Sequence, residues 1–439
     1  MYYIVETEQQ LNRLYFPDKE CYIRIIPMND EYHSILTSPC LVYFKTPTSK
    51  GYMFTINHSE AFKLPLSKVL NFIEDKFEKI YTLNKKEVLY YFNSNKLIDI
   101  DGRYKYKTII GDNFTKFRTR VYNNFDSLDY TNSIIPISKH YESEEKTFQE
   151  VRQCFTLDTD QNVFYNEIFP KVFKAIEEQG IRIHPDYFHK HFKYNDKSWF
   201  LRGETVYTKY NLYNLTTRPT NSFNGVNFAA LNKNDGSRTS LIPKNDLFFE
   251  YDYDSYHVRI LAKLINFELG KDSVHTQLGK MYFSKNELTE EEYKQSKELT
   301  FKQLYGGVFE QYKDIPFFKS MNEYVDDLWK TFNKENELKL IGGKVLTKDQ
   351  IQNPTPNKIL NYIIQSAETY NNVMSLKRVI KYLENKQSKV ILYTYDSFLI
   401  DYSDSDGRKT LQKIKQLLEM DGYVVKVSYG RNYNSLKYI

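Results

Sequence analysis

A largely apolar run at residues 248–253 ends in carboxylates and passes at once into a helical pattern. Apolar side chains repeat at spacings of three and four along residues 258–265, which predicts an amphipathic helix directly after a buried strand. A strand that turns straight into a helix holds its last polar side chains at a defined point of the sheet. The junction therefore predicts a mixed α/β (α+β) fold with an acid, Asp252, at the C-terminal end of a strand.

A second acid is predicted near the tip of a β-hairpin. Apolar runs at residues 390–392 and 398–400 flank the segment Tyr-Thr-Tyr-Asp-Ser, which contains Asp396. Carboxylates on adjacent strands supply the hard oxygen ligands of two-metal phosphoryl transfer, in which two Mg²⁺ ions about 4 Å apart clamp the attacking and leaving oxygens. Asp252 and Asp396 are therefore the predicted catalytic residues and metal ligands, with Mg²⁺ as the cofactor and Mn²⁺ as a substitute.

A helix predicted from the capping box at Thr289 to a Gly-Gly pair carries a mixed basic and aromatic face. Lys297, Phe301 and Tyr305 follow at intervals of four, so they share one side of that helix. Lys297 and Tyr305 lie about 12 Å apart along the axis, roughly the length of a nucleoside triphosphate. A lysine can meet a triphosphate as a point charge, and aromatic rings can stack on the base and pack on the sugar.

Each of these features alone has a commoner structural explanation. An acid at a strand end is more often a turn cap or a solvated group, and an acid at a hairpin tip is most often turn chemistry. A lysine among aromatic residues on a helix face is more often part of the core and its rim. The order and spacing of the three features as a set favour a functional site.

As a set, these segments resemble the motifs of family A DNA polymerases, the group that includes bacterial polymerase I and many phage replicases. The first motif of that family, Asp-Tyr-Ser-x-x-Glu-x-Arg after a hydrophobic strand, is similar to residues 252–259. The second motif, from its lysine onward, is similar to Lys-x3-Phe-x3-Tyr-Gly at residues 297–306, and the third, His-Asp-Glu in a hairpin, to Tyr-Asp-Ser at 395–397. The resemblance covers about residues 160–439.

The resemblance implies a right-hand polymerase with palm and fingers and a reduced thumb, preceded by an exonuclease-like α/β domain. It implies that residues 1–158 form a degenerate 3′–5′ exonuclease-like domain and that residues 159–439 form the polymerase domain. In the polymerase domain, the implied bounds are 159–262 and 347–439 for the palm, near 184–217 for the reduced thumb, and 263–346 for the fingers.

The same resemblance implies roles for single residues. Those implied to bind the nucleotide are Lys297, Phe301, Tyr305, His257 and Lys294. Those implied to contact DNA are Arg218, Asn224, Asn227, Arg238, Asn361, Gln365 and Tyr395. The implied partners are primer–template DNA, dNTPs and replisome partners (a processivity factor, a helicase-primase or a separate exonuclease), with no membrane.

Several positions depart from the family pattern, among them Tyr395, which stands where the third motif has its histidine. His257 stands where the family has the glutamate that excludes a 2′-hydroxyl, and Ser397 stands where it has the last acid of the third motif. Tyr293 replaces an arginine, which leaves Lys294 as the nearest cation. A serine at position 397 is also the pattern of single-subunit RNA polymerases. The predicted function is a template-directed DNA polymerase, and the alternatives are a single-subunit RNA polymerase or primase-like enzyme, or a non-catalytic DNA-binding replication scaffold.

The N-terminal segment lacks the acids of an active exonuclease. Its first plausible strand, residues 21–26, carries no Asp-x-Glu pair, and Asp99 and Glu145 are candidate remnants of later motifs. Only about 35 residues separate Ile183 from Arg218, too few for the helical thumb of the family. The chain is therefore expected to degrade no DNA and to hold DNA poorly without a partner.

The amino-acid composition is compatible with DNA binding but does not require it. The net charge is +5, from 61 basic and 56 acidic residues, and DNA binding depends more on a local basic face than on this total. No apolar run reaches the ~18 residues of a membrane span, the N-terminus has no signal-peptide pattern, and the three cysteines lie far apart. These features predict a cytoplasmic protein, in the cytoplasm of the host cell if the source is a virus or phage.

Overall fold

The structure, a computed structural model, describes residues 2–30, 32–100, 132–152, 163–192, 200–221, 225–270 and 273–439. The chain divides into two compact units. Unit 1 contains residues 1–180, 192–210 and 222–226, and unit 2 contains residues 181–191, 211–221 and 227–439. The two units are defined by how compactly their residues pack, whereas the predicted domain bounds are taken from the resemblance. The predicted bounds therefore remain a prediction.

Unit 1 is built on a mixed sheet. Its strands are β1 (Tyr3–Val5), β2 (Glu20–Pro27), β3 (Pro39–Lys45), β4 (Tyr52–Thr55), β5 (Lys79–Thr82) and β6 (Leu97–Asp99). Its helices are α1 (Glu8–Asn12), α2 (Leu66–Lys76), α3 (Lys85–Val88), α4 (Ile137–Val151) and α5 (Phe169–Glu177). Two further short strands, Leu201–Arg202 and Thr205–Val206, pair with each other.

The sheet of unit 1 has the order β1-β4-β3-β2-β5-β6. Strands β2, β3 and β4 are antiparallel neighbours, and β5 and β6 add in parallel to β2. Along β2 the side chains alternate between two cores, so Cys21 and Ile23 pack with residues of α2, whereas Tyr22 packs with Phe148 of α4. Helices cover both faces, which explains why β2 and β3 read as nearly continuous apolar runs.

Unit 2 holds the predicted site. Its helices are α6 (Pro185–His191), α7 (Tyr256–Leu264), α8 (Val274–Phe283), α9 (Glu290–Gly306), α10 (Pro316–Glu335), α11 (Pro356–Tyr382) and α12 (Arg408–Glu419). Its strands are β7 (Ile181–Ile183), β8 (Leu241–Ile242), β9 (Leu247–Tyr253), β10 (Glu337–Lys339), β11 (Val345–Thr347), β12 (Lys389–Tyr393), β13 (Ser397–Tyr402), β14 (Val425–Gly430) and β15 (Lys437–Tyr438).

The central sheet of unit 2 is antiparallel throughout, in the order β12-β13-β9-β14-β15. The predicted strand before Asp252 is confirmed as β9, and the predicted hairpin around Asp396 is confirmed as β12 and β13. The long helix α11 packs on both α7 and α9, so it links the strand-helix junction to the helix with the aromatic face. Among the described residues, no helix is both long and apolar enough to cross a bilayer.

Candidate active site

Neighbouring strands place Asp252 and Asp396 side by side. Asp252 is paired with Ser397 on β13 and with Lys426 on β14. The backbone N–H of Tyr253 donates to the carbonyl oxygen of Asp396 over 2.9 Å, which closes the gap between the end of β9 and the hairpin turn. Two acids that lie 144 positions apart in the sequence are thereby brought together at one end of the central sheet.

The two carboxyl groups repel each other in a partly dry environment. Burial, the charge of Asp396 and the charge of Glu250 raise the pKa of Asp252 to about 7. Burial, together with the charge of Glu368, raises the pKa of Asp396. A divalent cation would relieve this repulsion, and carboxylates are ligands that Mg²⁺ prefers, so the residues present fit such an ion.

The protein supplies few ligands beyond these two acids. Among the described residues, no group of three or more His, Cys, Asp or Glu side chains is arranged to hold a metal ion. Mg²⁺ in phosphoryl-transfer sites is commonly held by one or two carboxylates together with water and substrate phosphates, so a two-acid site is sufficient for that chemistry.

The raised pKa of Asp252 leads to a prediction about stability without metal. The pKa is near 4 in an unfolded chain and about 7 in the folded one, so folding favours the neutral carboxyl group. The stability it contributes is present at low pH and is lost as the pH rises through about 7. Asp252→Asn is neutral at every pH, and we expect it to raise the unfolding free energy by about 1–2 kcal/mol at pH 8, after a discount for solvent screening.

Thermal denaturation in EDTA measures this effect. The melting temperature of Asp252→Asn should exceed that of the native chain by roughly 1–4 °C at pH 8, and the difference should shrink as the pH is lowered to 5. A variant that melts lower than the native chain at pH 8 would show that the acid is not destabilising in the folded state.

Two other acids near the junction are already engaged. Glu250 lies two residues before Asp252 on the same face of β9, and it accepts hydrogen bonds from the hydroxyls of Ser397 and Tyr433, at 3.3 and 3.4 Å. Asp254 is ion-paired with Arg259 and with Lys426. The ion pair of Asp254 with Lys426 and the hydrogen bonds accepted by Glu250 both connect neighbouring strands. These two acids therefore hold the strands in register.

The helix α9 presents the predicted face. Its capping box at Thr289 is present, and its buried side carries Ser296, Thr300, Gln303 and Leu304, which turns the face with Lys297 outward. Phe301 and Tyr305 lie with their rings parallel within 2°, their centroids 6.3 Å apart, and Tyr305 is 41% exposed. An exposed lysine and two aligned, half-exposed rings form a surface that suits a nucleotide.

Lys294 lies off this face. It forms an ion pair with Glu290 over 2.8 Å, and both side chains are highly exposed. Such a pair one turn apart on a helix contributes little energy and leaves the lysine free to exchange partners. Its predicted contact with the nucleotide stays a prediction.

His257 connects the strand-helix junction to α9. Its Nδ1 is hydrogen-bonded to the hydroxyl of Tyr305 over 2.7 Å, and its Nε2 lies 3.3 Å from a carboxylate oxygen of Glu368. Burial and the charge of Glu368 raise the pKa of Tyr305 to about 12, so the phenol keeps its proton at neutral pH. The position predicted to select the sugar therefore contacts the ring predicted to lie beside it.

Arg218 joins the same network from another segment of unit 2. Its Nη2 donates to Glu368 over 3.2 Å, and its Nε lies 2.8 Å from the second carboxylate oxygen without the alignment of a hydrogen bond. The guanidinium group lies 3.8 Å above the centre of the Tyr395 ring. Asn372, one turn after Glu368 on α11, donates to the carbonyl oxygen of Tyr395 over 2.6 Å and holds the hairpin turn.

Strained backbone marks the same places. Thr217, Ser255 and Tyr395 have positive φ values of 65°, 51° and 69°, a region that residues with a side chain seldom adopt. Thr217 precedes Arg218, Ser255 caps α7 and Tyr395 precedes Asp396. Such residues cost of order 1–3 kcal/mol each and cluster at functional sites.

The other predicted DNA contacts are distributed around this site. The guanidinium group of Arg238 lies 4.6 Å above the ring of Tyr433, which in turn contacts Glu250. Asn361 and Gln365 are partly exposed on α11, and Asn227 is exposed. Asn224 lies outside the described residues.

Two residues of the site carried no clear signal in the sequence. His275 is 4% exposed, its Nε2 lies 3.1 Å from the hydroxyl of Ser255, and its ring contacts Phe301. Burial and the charge of Lys297 lower the pKa of His275 to about 4, so it is neutral beside the α9 face. Glu368 is fully buried, and its only signal in the sequence is an acid placed among the apolar positions of a long helix.

Comparison with solved structures identifies the architecture. The chain is similar to the POL domain of Pol1 from M. smegmatis, in a complex with DNA primer-template and dNTP, with a TM-score of 0.73 and 12% sequence identity. The match covers 99% of this chain and 100% of that one. No protein-family model and no curated protein match the sequence. The polymerase fold with palm and fingers, predicted from the motifs, is confirmed.

Proposed function

We propose that this chain is a template-directed DNA polymerase that extends a primer 3′ end with dNTPs by two-metal phosphoryl transfer. The observation that carries the proposal is the placement of Asp252 close to Asp396 at the end of the central sheet, beside the exposed face of α9. The similar solved structure, a polymerase domain bound to primer-template and dNTP, supports the same reading.

The side chains divide the work by their chemistry. Asp252 and Asp396 would hold Mg²⁺ ions, which supply charge stabilisation for the attacking and leaving oxygens when bound. Lys297 neutralises the triphosphate, and Phe301 and Tyr305 pack on the sugar and base. Arg218 offers hydrogen-bond donors to the primer–template minor groove beside the turn that holds Asp396.

Primer extension with the purified full chain tests the proposal. A labelled primer–template is supplied with Mg²⁺ and either dNTPs or rNTPs, and a primer without template serves as the control. Template-dependent extension with dNTPs is the expected result. Synthesis that starts without a primer would favour the RNA polymerase or primase-like alternative, and DNA binding without any synthesis would favour the scaffold.

A replicative role in a virus or phage completes the proposal. The segment near residues 184–217 is short for a thumb, and a thumb contributes phosphate contacts that retain the duplex. The chain would then depend on replisome partners, such as a processivity factor, a helicase-primase or a separate exonuclease, for long products.

We also propose that residues 1–158 form a degenerate exonuclease-like domain without nuclease activity. Arg24 stands in the middle of β2, where it is ion-paired with Glu144, and no acid pair lies along that strand. Of the candidate remnants, Glu145 is ion-paired with Lys45, and Asp99 accepts a hydrogen bond from the backbone N–H of Lys85. These acids serve the packing of unit 1.

The expected result is that the chain leaves a 3′ single strand intact in Mg²⁺ or Mn²⁺. The measurement is gel analysis of a labelled oligonucleotide incubated with the native chain and with Asp252→Asn. Digestion that persists in Asp252→Asn would locate an active nuclease outside the polymerase site and would contradict this assignment.

A further inference from the structure

Glu368 is a buried acid with two cationic or polar neighbours. Its side chain is fully buried in the middle of α11, where an isolated carboxylate would be strongly destabilising. Arg218 contacts both of its oxygens, and His257 approaches the oxygen shared with Arg218 Nη2. The acid therefore touches one residue proposed to bind DNA and one proposed to select the sugar.

The contacts of His257 define its tautomer. The Nε2 of His257 lies 3.3 Å from an oxygen of Glu368 without the alignment of a hydrogen bond, and because carboxylate oxygens are acceptors only, the nearby charge favours the ring proton on Nε2. In a neutral imidazole the other nitrogen is then an acceptor, and Nδ1 accepts a hydrogen bond from the hydroxyl of Tyr305 over 2.7 Å. Without Glu368 the ring could take either tautomer, and Tyr305 could lose its acceptor.

Glu368 also supports the hairpin turn, through Arg218. Arg218, fixed by Glu368, lies against the ring of Tyr395, the residue immediately before Asp396. Asn372 on the next turn of α11 binds the carbonyl oxygen of Tyr395. Glu368 and Asn372, one turn apart on α11, thus position both the His257 side chain and the turn that contains Asp396.

We infer that Glu368 is a positioning residue that fixes the tautomer of His257, and through it the orientation of Tyr305, and that this device sets the preference for deoxynucleotides. In this chain His257, at the position predicted to face the sugar, is oriented by the buried Glu368 on α11. The two residues, called the gate below, therefore act together in excluding a 2′-hydroxyl. The inference about selectivity rests on the proposed function, whereas the inference about the tautomer does not.

Nuclear magnetic resonance tests the tautomer in the native chain. Histidine labelled with ¹⁵N is incorporated into the full chain, and the signals of His257 are identified by their loss in His257→Gln. A protonated Nε2 and an unprotonated Nδ1 are expected. A protonated Nδ1 in the native chain would overturn the inference, whether or not the chain proves to be a polymerase.

Steady-state kinetics test the consequence. The ratio of kcat/KM for dATP to that for ATP should fall about tenfold in Glu368→Ala, the middle of the range for coupled neighbours. The change should come mainly from a lower KM for ATP, because a displaced imidazole no longer excludes the 2′-hydroxyl. Glu368→Gln keeps one acceptor oxygen and should lie between the native chain and Glu368→Ala.

Thr369→Ala is the matched control on the same helix. Thr369 is fully buried, and its hydroxyl donates to the carbonyl oxygen of Gln365 within α11, so its loss perturbs packing without touching the gate. Its selectivity should equal that of the native chain. Unchanged selectivity in a folded Glu368→Ala variant would overturn the positioning role. If the alanine variant fails to fold, unchanged selectivity in both Glu368→Gln and Thr369→Ala would overturn it. Absence of primer extension by the native chain would instead refute the proposed function.

Discussion

Replacement of Asp252 or Asp396 by asparagine is expected to lower the rate of primer extension by roughly 10³-fold or more. Both acids sit where β9 meets the hairpin, and burial together with neighbouring acids (Asp396 and Glu250 for Asp252, Glu368 for Asp396) holds their pKa values above the ordinary range. Asparagine has the same shape and no charge. The variants therefore lose the ability to hold a divalent cation while the backbone hydrogen bond between Tyr253 and Asp396 is retained.

Single-turnover extension of a bound primer–template in Mg²⁺ measures this loss apart from DNA binding. The affinity for DNA, measured by fluorescence anisotropy at the same salt concentration, should change by no more than about threefold, because a carboxylate contributes no attraction to DNA phosphates. Extension within tenfold of the native rate by either variant would contradict the assignment of these acids as the metal ligands.

Asp401→Asn supplies the matched control for a buried strand acid. Asp401 lies farther along β13, is 3% exposed, and accepts hydrogen bonds from the backbone N–H groups of Lys244 and Asn245. Asp401→Asn removes one carboxylate charge, as Asp252→Asn and Asp396→Asn do, but at a position that has no second acid beside it. A rate close to that of the native chain is expected, with at most a lower melting temperature.

The sequence predicts those parts of the site that local pattern encodes. The strand before Asp252, the capping box at Thr289 and the hairpin around Asp396 each follow from residues within a few positions of one another, and the structure confirms all three. The i+4 spacing likewise sufficed to place Lys297 and Tyr305 on one helix face, because helix geometry fixes it.

The rest depends on contacts between distant segments. Glu368 meets Arg218 across 150 positions of sequence, and no local period distinguishes a buried, paired acid from a solvated one. The positive φ values of Thr217 and Tyr395 could not be predicted from the sequence either, because neither residue is a glycine or asparagine, the types that commonly adopt such values. Such strain persists only where surrounding contacts impose it, as the contacts of Arg218 and Asn372 do here.

Replacement of His257 by alanine is expected to reduce the preference for deoxynucleotides by tenfold or more. If the sugar of the incoming nucleotide lies over Phe301, the imidazole stands beside its 2′-carbon, held by Tyr305 and Glu368. A 2′-hydroxyl there would collide with the ring or compete for the hydrogen bond between Nδ1 and Tyr305. A clash of this kind is worth about 2–5 kcal/mol, so the native chain should favour dATP over ATP by roughly 10²- to 10³-fold.

The measurement is kcat/KM for dATP and for ATP on the same primer–template, with the native chain, His257→Ala and Tyr305→Phe. The alanine variant removes both the bulk and the acceptor, whereas the phenylalanine variant removes only the hydroxyl, so the two separate collision from hydrogen bonding. Collision as the main term predicts high selectivity in Tyr305→Phe, and hydrogen bonding as the main term predicts equal losses in both variants. Equal use of dATP and ATP by the native chain would overturn the DNA polymerase proposal. The serine at position 397 would then point to a single-subunit RNA polymerase or primase-like enzyme built on the same pair of acids.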